Sequence, residues 1–324
     1  MAQETNMDQS LTVQIVGWNS AAALPAALDR LKLCPKEIII RYIDNNSADR
    51  SVETVKKMLP AAQVIELDRN TGFAAAHNLG FKHCTTSLVM LHNPDLVLDL
   101  DSLPQLTGVF EEARVGAVQG KILKGRNSQG KDIIDSTGVV MTLALNGADR
   151  GEGEIDVRQY NQSIEVAAVT GAAGCYRMAA LHNIRDINGQ IFDEDFFAYK
   201  EDVDLGWRLR HAGWVCKYIP VLQGIHPRGF GQKRTDSLPE KMVYLVVKVT
   251  DQRTRYSLRN WIWMILKNSS VKDALKHELF VDMRIFGFVL LGTVYWPLLG
   301  LWIEIIKGVP KIMRKRVDQT GGRQ

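Results

Sequence analysis

The chain has no means of being stapled through its thiols. Its four cysteines, Cys34, Cys84, Cys175 and Cys216, form no CxxC pair and no even ladder, which excludes a disulfide framework and points to reduced thiols in a cytoplasmic protein. Charge of one sign is also scarce. The 40 Lys and Arg against 36 Asp and Glu leave a formal +4, so composition gives no reason to expect a nucleic-acid partner. The N-terminal MAQETNMDQS is polar and lacks the apolar core of a signal peptide, which argues against secretion. There is no internal repeat and no low-complexity tract. No Gly-rich, lysine-bearing loop follows the first apolar run at 11–16, which disfavours a nucleotidyltransferase on an α/β sheet.

What is present is alternation. Residues 11–16, 37–43, 63–67 and 87–91 read as apolar strands, and 21–33, 51–59 and 73–83 as helices, the first with Ser20 as its cap. Such a pattern predicts a mostly parallel sheet with helices on both faces, whose ligands bind beyond the carboxyl ends of the strands. The polar clusters at 44–49, 69–78 and 93–95 all fall at such ends, so three loops build one site. Residues 117–158 read as a strand, a hairpin and a Gly-rich acidic loop covering one side of the sheet. Residues 166–178 are apolar, and their Gly171 and Gly174 let a ligand or another backbone come close. The stretch around which the rest is organised is FDEDFFAYKEDVDLGWRLRHAGW, 192–214. The spacing of Val203, Trp207 and Leu209 predicts a helix over 201–211, stopped by Gly213 and followed by a strand over 214–219. Glu201 and Asp202 then stand at the mouth of that helix, where its dipole favours an ionised carboxylate; an acidic cap on an ordinary amphipathic helix is the alternative.

Three further side chains suggest chemistry. Asp44, trailed by small amides, is placed to accept from a nucleobase imide or a ribose hydroxyl; an ordinary Asx turn is the alternative. Asp95, its backbone fixed by Pro94, offers a hard oxygen ligand suited to Mg²⁺ or Mn²⁺ on a diphosphate; an ordinary Asn-Pro-Asp turn is the alternative. His226 either completes that metal sphere, binds phosphate, or is structural, with Arg228 and Lys233 behind it as phosphate-neutralising candidates.

Taken together, DNNSAD (44–49), RNTGFAAAHNLG (69–80), NPD (93–95), GAAGCYR (171–177) and the 192–214 stretch occur in an order that resembles the family 2 glycosyltransferases with the GT-A fold. The rhamnosyltransferase-like branch is the most similar, and DRGEGEIDVRQYN (149–161) looks like a loop of that branch. The likeness runs from 11 to 228, about two-thirds of the chain. It implies that Asp44 contacts the nucleobase of a nucleotide-sugar and that Asn70, Gly72 and Asn78 line the nucleotide pocket. Trp18, Asn19, Asn46, Arg69, Asn93 and Gly171 join that binding set. It further implies that Asp95 is the metal carboxylate of a DXD-like motif, here with Asn93 in place of the first acid, and that Glu201 and Asp202 form the catalytic pair, Asp202 being the base. The first strand departs from the pattern, ending in Gly17-Trp18-Asn19 where the family usually has Asn-Tyr-Asn. The implied reaction is an inverting transfer from a nucleoside-diphosphate sugar, dTDP-L-rhamnose before UDP-hexose or UDP-N-acetylhexosamine. From another class, a non-catalytic nucleotide-sugar-binding scaffold is the rival.

The chain divides on this reading into a flexible 1–10, a GT-A domain over 11–232, and a helical, basic and aromatic region over 233–324. In the last, residues 256–267 set Trp261, Trp263 and Ile265 beside Arg255, Arg259 and Lys267. Residues 285–303 carry no charge. As one straight helix they would span about 28 Å, close to the roughly 30 Å hydrocarbon core, although Pro297 and the glycines favour a broken helix equally. Lys307, Lys311, Arg314, Lys315 and Arg316 follow, which suits an anionic cytoplasmic membrane face. The expectation is peripheral or monotopic association with that face and a glycan acceptor on a polyprenyl diphosphate. A buried helical hairpin and a homo-oligomer interface are the alternatives.

Overall fold

The computed structural model describes residues 10–227, 251–294 and 297–321. The N-terminal stretch read as flexible lies outside them save for Ser10, as do Arg228 and Lys233. Strands β1 (Leu11–Gly17), β2 (Ile39–Asp44), β3 (Gln63–Glu66) and β4 (Leu88–His92) are mutually parallel, in the order β4-β1-β2-β3. They are joined through helices α1 (Leu24–Leu31), α2 (Ser51–Met58) and α3 (Gly72–Lys82). Helix α1 starts later than its sequence indicates because Pro25 sits in its first turn. Ser20 does not cap it with its hydroxyl; the Ser20 carbonyl instead accepts the amides of Ala23 and Leu24 in a preceding turn.

A short β5 (Val97–Leu98) and helix α4 (Ser102–Gly108) lead to β6 (Val115–Arg126), which hairpins with β7 (Asp132–Ser136). Strands β8 (Val139–Met141) and β9 (Gly147–Asp149) form a separate two-stranded sheet. Strand β10 (Ile164–Glu165) follows, then β11 (Cys175–Arg177), which runs antiparallel between β4 and β6. After α5 (Met178–Asn183) comes α6 (Glu201–His211), with the bounds the spacing predicts, then β12 (Val215–Ile225), parallel to β6. The main sheet among the described residues runs β10-β12-β6-β11-β4-β1-β2-β3, so β6 belongs to the central sheet and does not merely cover it.

Alternation along β4 shows how the strands build two cores. Leu88 and Met90 join Val13, Ile15, Leu24 and Leu28 on one face. Val89 and Leu91 meet Ala74, Phe81, Phe192, Leu205 and Leu209 on the other, as a period of two requires. A third cluster joins Val203 and Trp207 of α6 to Trp261, Trp263, Leu301 and Ile305 of the C-terminal helices.

Those helices are α7 (Gln252–Asn268), α8 (Val271–Val294) and α9 (Pro297–Gly321). Among the described residues the uncharged 285–303 stretch lies in α8 as far as Val294 and in α9 from Pro297. No helix among the described residues is long and apolar enough to cross a membrane. Several basic side chains of these helices have protein partners. Lys315 pairs with Asp193 and Asp195, Lys311 with Asp195, and Lys267 with Asp193 and Asp204. Arg316 donates to the carbonyls of Leu266 and Ser269.

Candidate active site

The loops after β1, β2 and β3 are tied into one rim by short polar side chains. Asp44, 3% exposed at the end of β2, accepts the Ser47 amide at 2.8 Å and the Tyr42 hydroxyl at 3.3 Å. Asn45, which sequence reading passed over for Asn46, is the tie to the next loop. Its Nδ2 donates to the Gly72 carbonyl (3.1 Å) and its Oδ1 accepts from the Thr71 amide (2.8 Å). The signal available was its position directly after the last buried strand residue. Asn46 and Arg69 are exposed at the lip. Asn19 bridges to the second loop, donating its amide to Ser47 Oγ and accepting from the Ala48 amide. Both Asn19 (φ 50°) and Asn46 (φ 62°) are left-handed, a conformation asparagine tolerates. Trp18 is 57% exposed, one residue beyond the Gly17–Asp44 pair. Asn70 Oδ1 accepts the Gly72 amide at 2.9 Å. Gly72 itself has φ 83°, and a Cβ there would stand 2.6 Å from Phe197, so the position admits only glycine.

A second corner lies where β4, β7 and β12 end. Pairing of Ile225 with Val97 carries His226 to Asp95. His226 Nε2 lies 3.0 Å from Asp95 Oδ1 and 3.2 Å from Asn93 Nδ2, and Nδ1 lies 2.9 Å from Asp135 Oδ2. Burial would pull the imidazole pKa down, but the bonds to Asp135 and Asp95 prevail and raise it. Asp135 is fully buried and escaped sequence reading. A carboxylate inside the apolar strand IIDS was the only mark of it. Both ring nitrogens are therefore engaged, Nδ1 by the buried Asp135 and Nε2 by Asp95 and Asn93; a carboxylate on the nitrogen away from the ion is how metal-binding histidines are commonly oriented. The described residues contain no cluster of three His, Cys, Asp or Glu able to hold a metal, so the side chains at this corner that could hold one are Asp95 and His226.

The third element is the mouth of α6. Asp202 Oδ2 accepts the Gly171 amide (3.0 Å) and Oδ1 the Val203 amide (2.8 Å), which fixes the carboxylate in the helix-dipole field. A Cβ on Gly171 would meet Phe73 at 3.3 Å, so the glycine lets this loop close over α3. Glu201 is 6% exposed, and its Oε2 has no hydrogen-bond partner among the described residues. Burial, then the neighbouring Asp202 charge, pushes its carboxyl up to about 8 from an ordinary 4.5. Glu201 thus stays protonated in the folded chain at pH values where the unfolded chain has released the proton, and stability declines as pH rises between those limits. Glu201→Gln is expected to equal the parent near pH 4 and to gain in unfolding midpoint progressively toward pH 8. A constant offset between the two denaturation curves across that range would contradict this burial.

The three groups are contiguous. The Asn93 amide bonds to the Ala172 carbonyl at 2.9 Å, next to Gly171, which holds Asp202. On the other side Asn45 holds Gly72, whose neighbour Phe73 packs against Gly171. One placement needs correction. Asn78, expected to line the nucleotide pocket, is buried, and its amide is taken up by Phe192 N–H, Phe192 C=O and Glu194 Oε1. It braces the acidic loop from α3.

A mostly parallel sheet with antiparallel β11 let in between β4 and β6, and with acidic groups gathered along its carboxyl rim, is the architecture of the GT-A class. Solved structures share it: the mannosyltransferase PcManGT from Pyrobaculum calidifontis, solved with GDP-Man and Mn²⁺, aligns over 95% of this chain and 87% of its own with TM-score 0.51 at 14% identity. GalNAc-T7, solved with UDP, GalNAc and Mn²⁺, aligns over 84% of this chain and 55% of its own with TM-score 0.51 at 13% identity. The profile of glycosyl transferase family 2 matches residues 12–181, over half of the sequence, and the chain belongs to that family. Among curated relatives, the pre-mycofactocin glycosyltransferase of Mycobacterium tuberculosis is 32% identical over 168 residues, 51% of this chain and 32% of the relative. The N-acetylglucosaminyl-diphospho-decaprenol L-rhamnosyltransferase of the same organism is 44% identical over 52 residues, 15% of this chain and 17% of the relative. The poly-β-1,6-N-acetyl-D-glucosamine synthase of Staphylococcus aureus is 24% identical over 226 residues, 67% and 50% of the two chains. The chain spans between about a sixth and a half of the length of these relatives.

Proposed function

We propose that the protein is an inverting glycosyltransferase that moves a sugar, L-rhamnose from dTDP-L-rhamnose as first choice, onto a hydroxyl of a lipid-linked glycan during cell-surface polysaccharide synthesis. The observation that carries the reading is the anchored Asp202 carboxylate, contiguous through Gly171 and Ala172 with the Asp95–His226 corner. The acceptor hydroxyl gives its proton to Asp202 as its oxygen attacks the anomeric carbon opposite the diphosphate. Asp44 and the Asn45-tied loops bind the nucleoside, with exposed Trp18 available to stack on the base. Asp95 and His226 would hold a Mg²⁺ or Mn²⁺ ion in place of the proton shared in their 3.0 Å contact. Such an ion would offset the charge of the departing nucleotide. The rhamnose choice is supported by the short, high-identity match to an L-rhamnosyltransferase, whose name also specifies a diphospho-decaprenol acceptor. UDP-hexose or UDP-N-acetylhexosamine on the same site is the second choice. Thermal shift with Mn²⁺ across dTDP-rhamnose, UDP-glucose, UDP-N-acetylglucosamine and GDP-mannose tests the donor. A shift by dTDP-rhamnose alone is expected; a shift by a UDP-sugar alone moves the assignment to the second choice, and none at all sinks nucleotide-sugar binding.

The membrane reading belongs to the same proposal. Leu275, Leu279, Met283 and Phe286 are exposed at helical spacing along α8, as are Leu299, Ile303 and Ile306 along α9, near exposed Lys307 and Arg314. This face suits lying in the interface of an anionic, cytoplasmic leaflet. The protein is expected to float with anionic vesicles in a density gradient, and Leu279→Glu with Phe286→Glu to remain at the bottom. Equal recovery of parent and variant would remove this face from the account.

A further inference from the structure

Resting on the transferase reading above, we propose that Asn260 and Arg259 of α7 are positioning residues of the reaction. They hold in place the segment that presents Glu201 and Asp202. Three residues just before α6 adopt left-handed backbone without being glycine: Phe197 (φ 64°), Tyr199 (φ 72°) and Lys200 (φ 71°). Each is disfavoured for a side chain with a Cβ, and such conformations persist only where surrounding structure imposes them. The imposing groups are identifiable. Asn260, fully buried, shares its amide N–H groups among the carbonyls of Phe196 (2.8 Å), Ala198 (2.9 Å) and Tyr199 (2.8 Å). Arg259 donates from Nε to Asn260 Oδ1 at 3.0 Å, which turns the amide nitrogen toward those carbonyls. It also donates to the carbonyls of Asp195 (3.0 Å) and Phe196 (3.2 Å). Its guanidinium is itself fixed by Glu304 and by the Trp263 ring, 4.4 Å away. From the opposite side the Ala74 amide holds the Phe197 carbonyl at 3.1 Å, so the segment is gripped between α3 and α7.

The consequence is that the C-terminal helices set the aim of the base. Loss of Asn260 takes a donor from each of three carbonyls, leaving that of Phe196 to Arg259 and the Ala198 amide, and the backbone relaxes toward ordinary φ values. Relaxation at Tyr199 and Lys200 rotates the entry to α6. A displacement of about 1 Å at the reacting groups costs about a hundredfold in rate.

The test compares the full-length parent with Asn260→Ala and Arg259→Lys, which keeps the charge facing Glu304 but loses the fork. Three quantities are measured: kcat for nucleotide release, donor Kd by calorimetry, and hydrogen exchange by mass spectrometry. Asn260→Ala is expected to lower kcat about a hundredfold and Arg259→Lys about tenfold, with donor Kd unchanged. Exchange is expected to accelerate in peptides covering 195–202 and to stay as in the parent across the central sheet. Unchanged exchange over 195–202, or accelerated exchange with parental kcat, would overturn the proposal. Should Asn260→Ala fail to fold, Arg259→Lys alone decides between these outcomes. Should the parent turn over no nucleotide-sugar, the transferase reading falls and the positioning role with it, while exchange still reports whether the two residues hold the segment.

Discussion

Asp202→Asn is expected to lower kcat by about a hundred- to ten-thousand-fold, the range a positioned base contributes, or about 3–5 kcal/mol of transition-state stabilisation. The substitution is nearly isosteric, and the helix mouth remains. What changes is the capacity to take a proton and one of two backbone bonds. Asparagine accepts from either Gly171 or Val203 through its single carbonyl oxygen, and its amide group then faces the other N–H. The stability cost is therefore modest, about 1 kcal/mol. Donor affinity is expected to be unchanged, because the nucleoside loops and the Asp95–His226 corner do not involve this carboxylate. Parallel loss of donor binding and rate, measured by calorimetry and nucleotide release, would assign Asp202 a structural role.

Asp95→Ala is expected to lower kcat/KM by about a hundred- to a thousand-fold, the usual consequence of deleting one electrostatic contact to developing charge. Chelation of divalent cations should have a comparable effect on the parent and little further effect on the variant. Asp135→Asn is a finer probe, since Asp135 touches His226 Nδ1, on the ring edge away from Asp95. It is expected to raise the Mn²⁺ concentration needed for half-maximal rate by about ten- to a hundredfold while leaving the saturated rate near that of the parent. A parent indifferent to chelator would contradict the metal at Asp95 and His226.

The N-terminal half of the fold was legible because its strands and helices are local patterns. The parallel order, the polar strand ends and the bounds of α6 follow from periodicity and from where apolar runs stop. What escaped depends on contacts distant in sequence. Asp135 looks like one acid in a strand until β12 brings His226 to it. Asn45 and Asn46 are neighbours of the same type, and only the turn geometry shows which points to Gly72. Asn78 lies in a motif that suggests a ligand, yet its partners are 114 and 116 positions away. The partners of two lysines escaped for the same reason. Lys315, in the basic run after the uncharged stretch, and Lys267, before it, neutralise Asp193 and Asp204 in the interior, where an unpaired carboxylate would be costly. The acidic stretch 193–204 and the basic tail are two halves of one network, which no local pattern reveals.

The most direct measurement is nucleotide release by detergent-purified protein with Mn²⁺, offering dTDP-rhamnose and the UDP- and GDP-sugars, with lipid-linked N-acetylglucosaminyl diphosphate as acceptor. Acceptor-dependent release from one donor, lost in Asp202→Asn and in chelator, is the predicted result. No donor turned over or bound by the folded parent would contradict the transferase account at its centre.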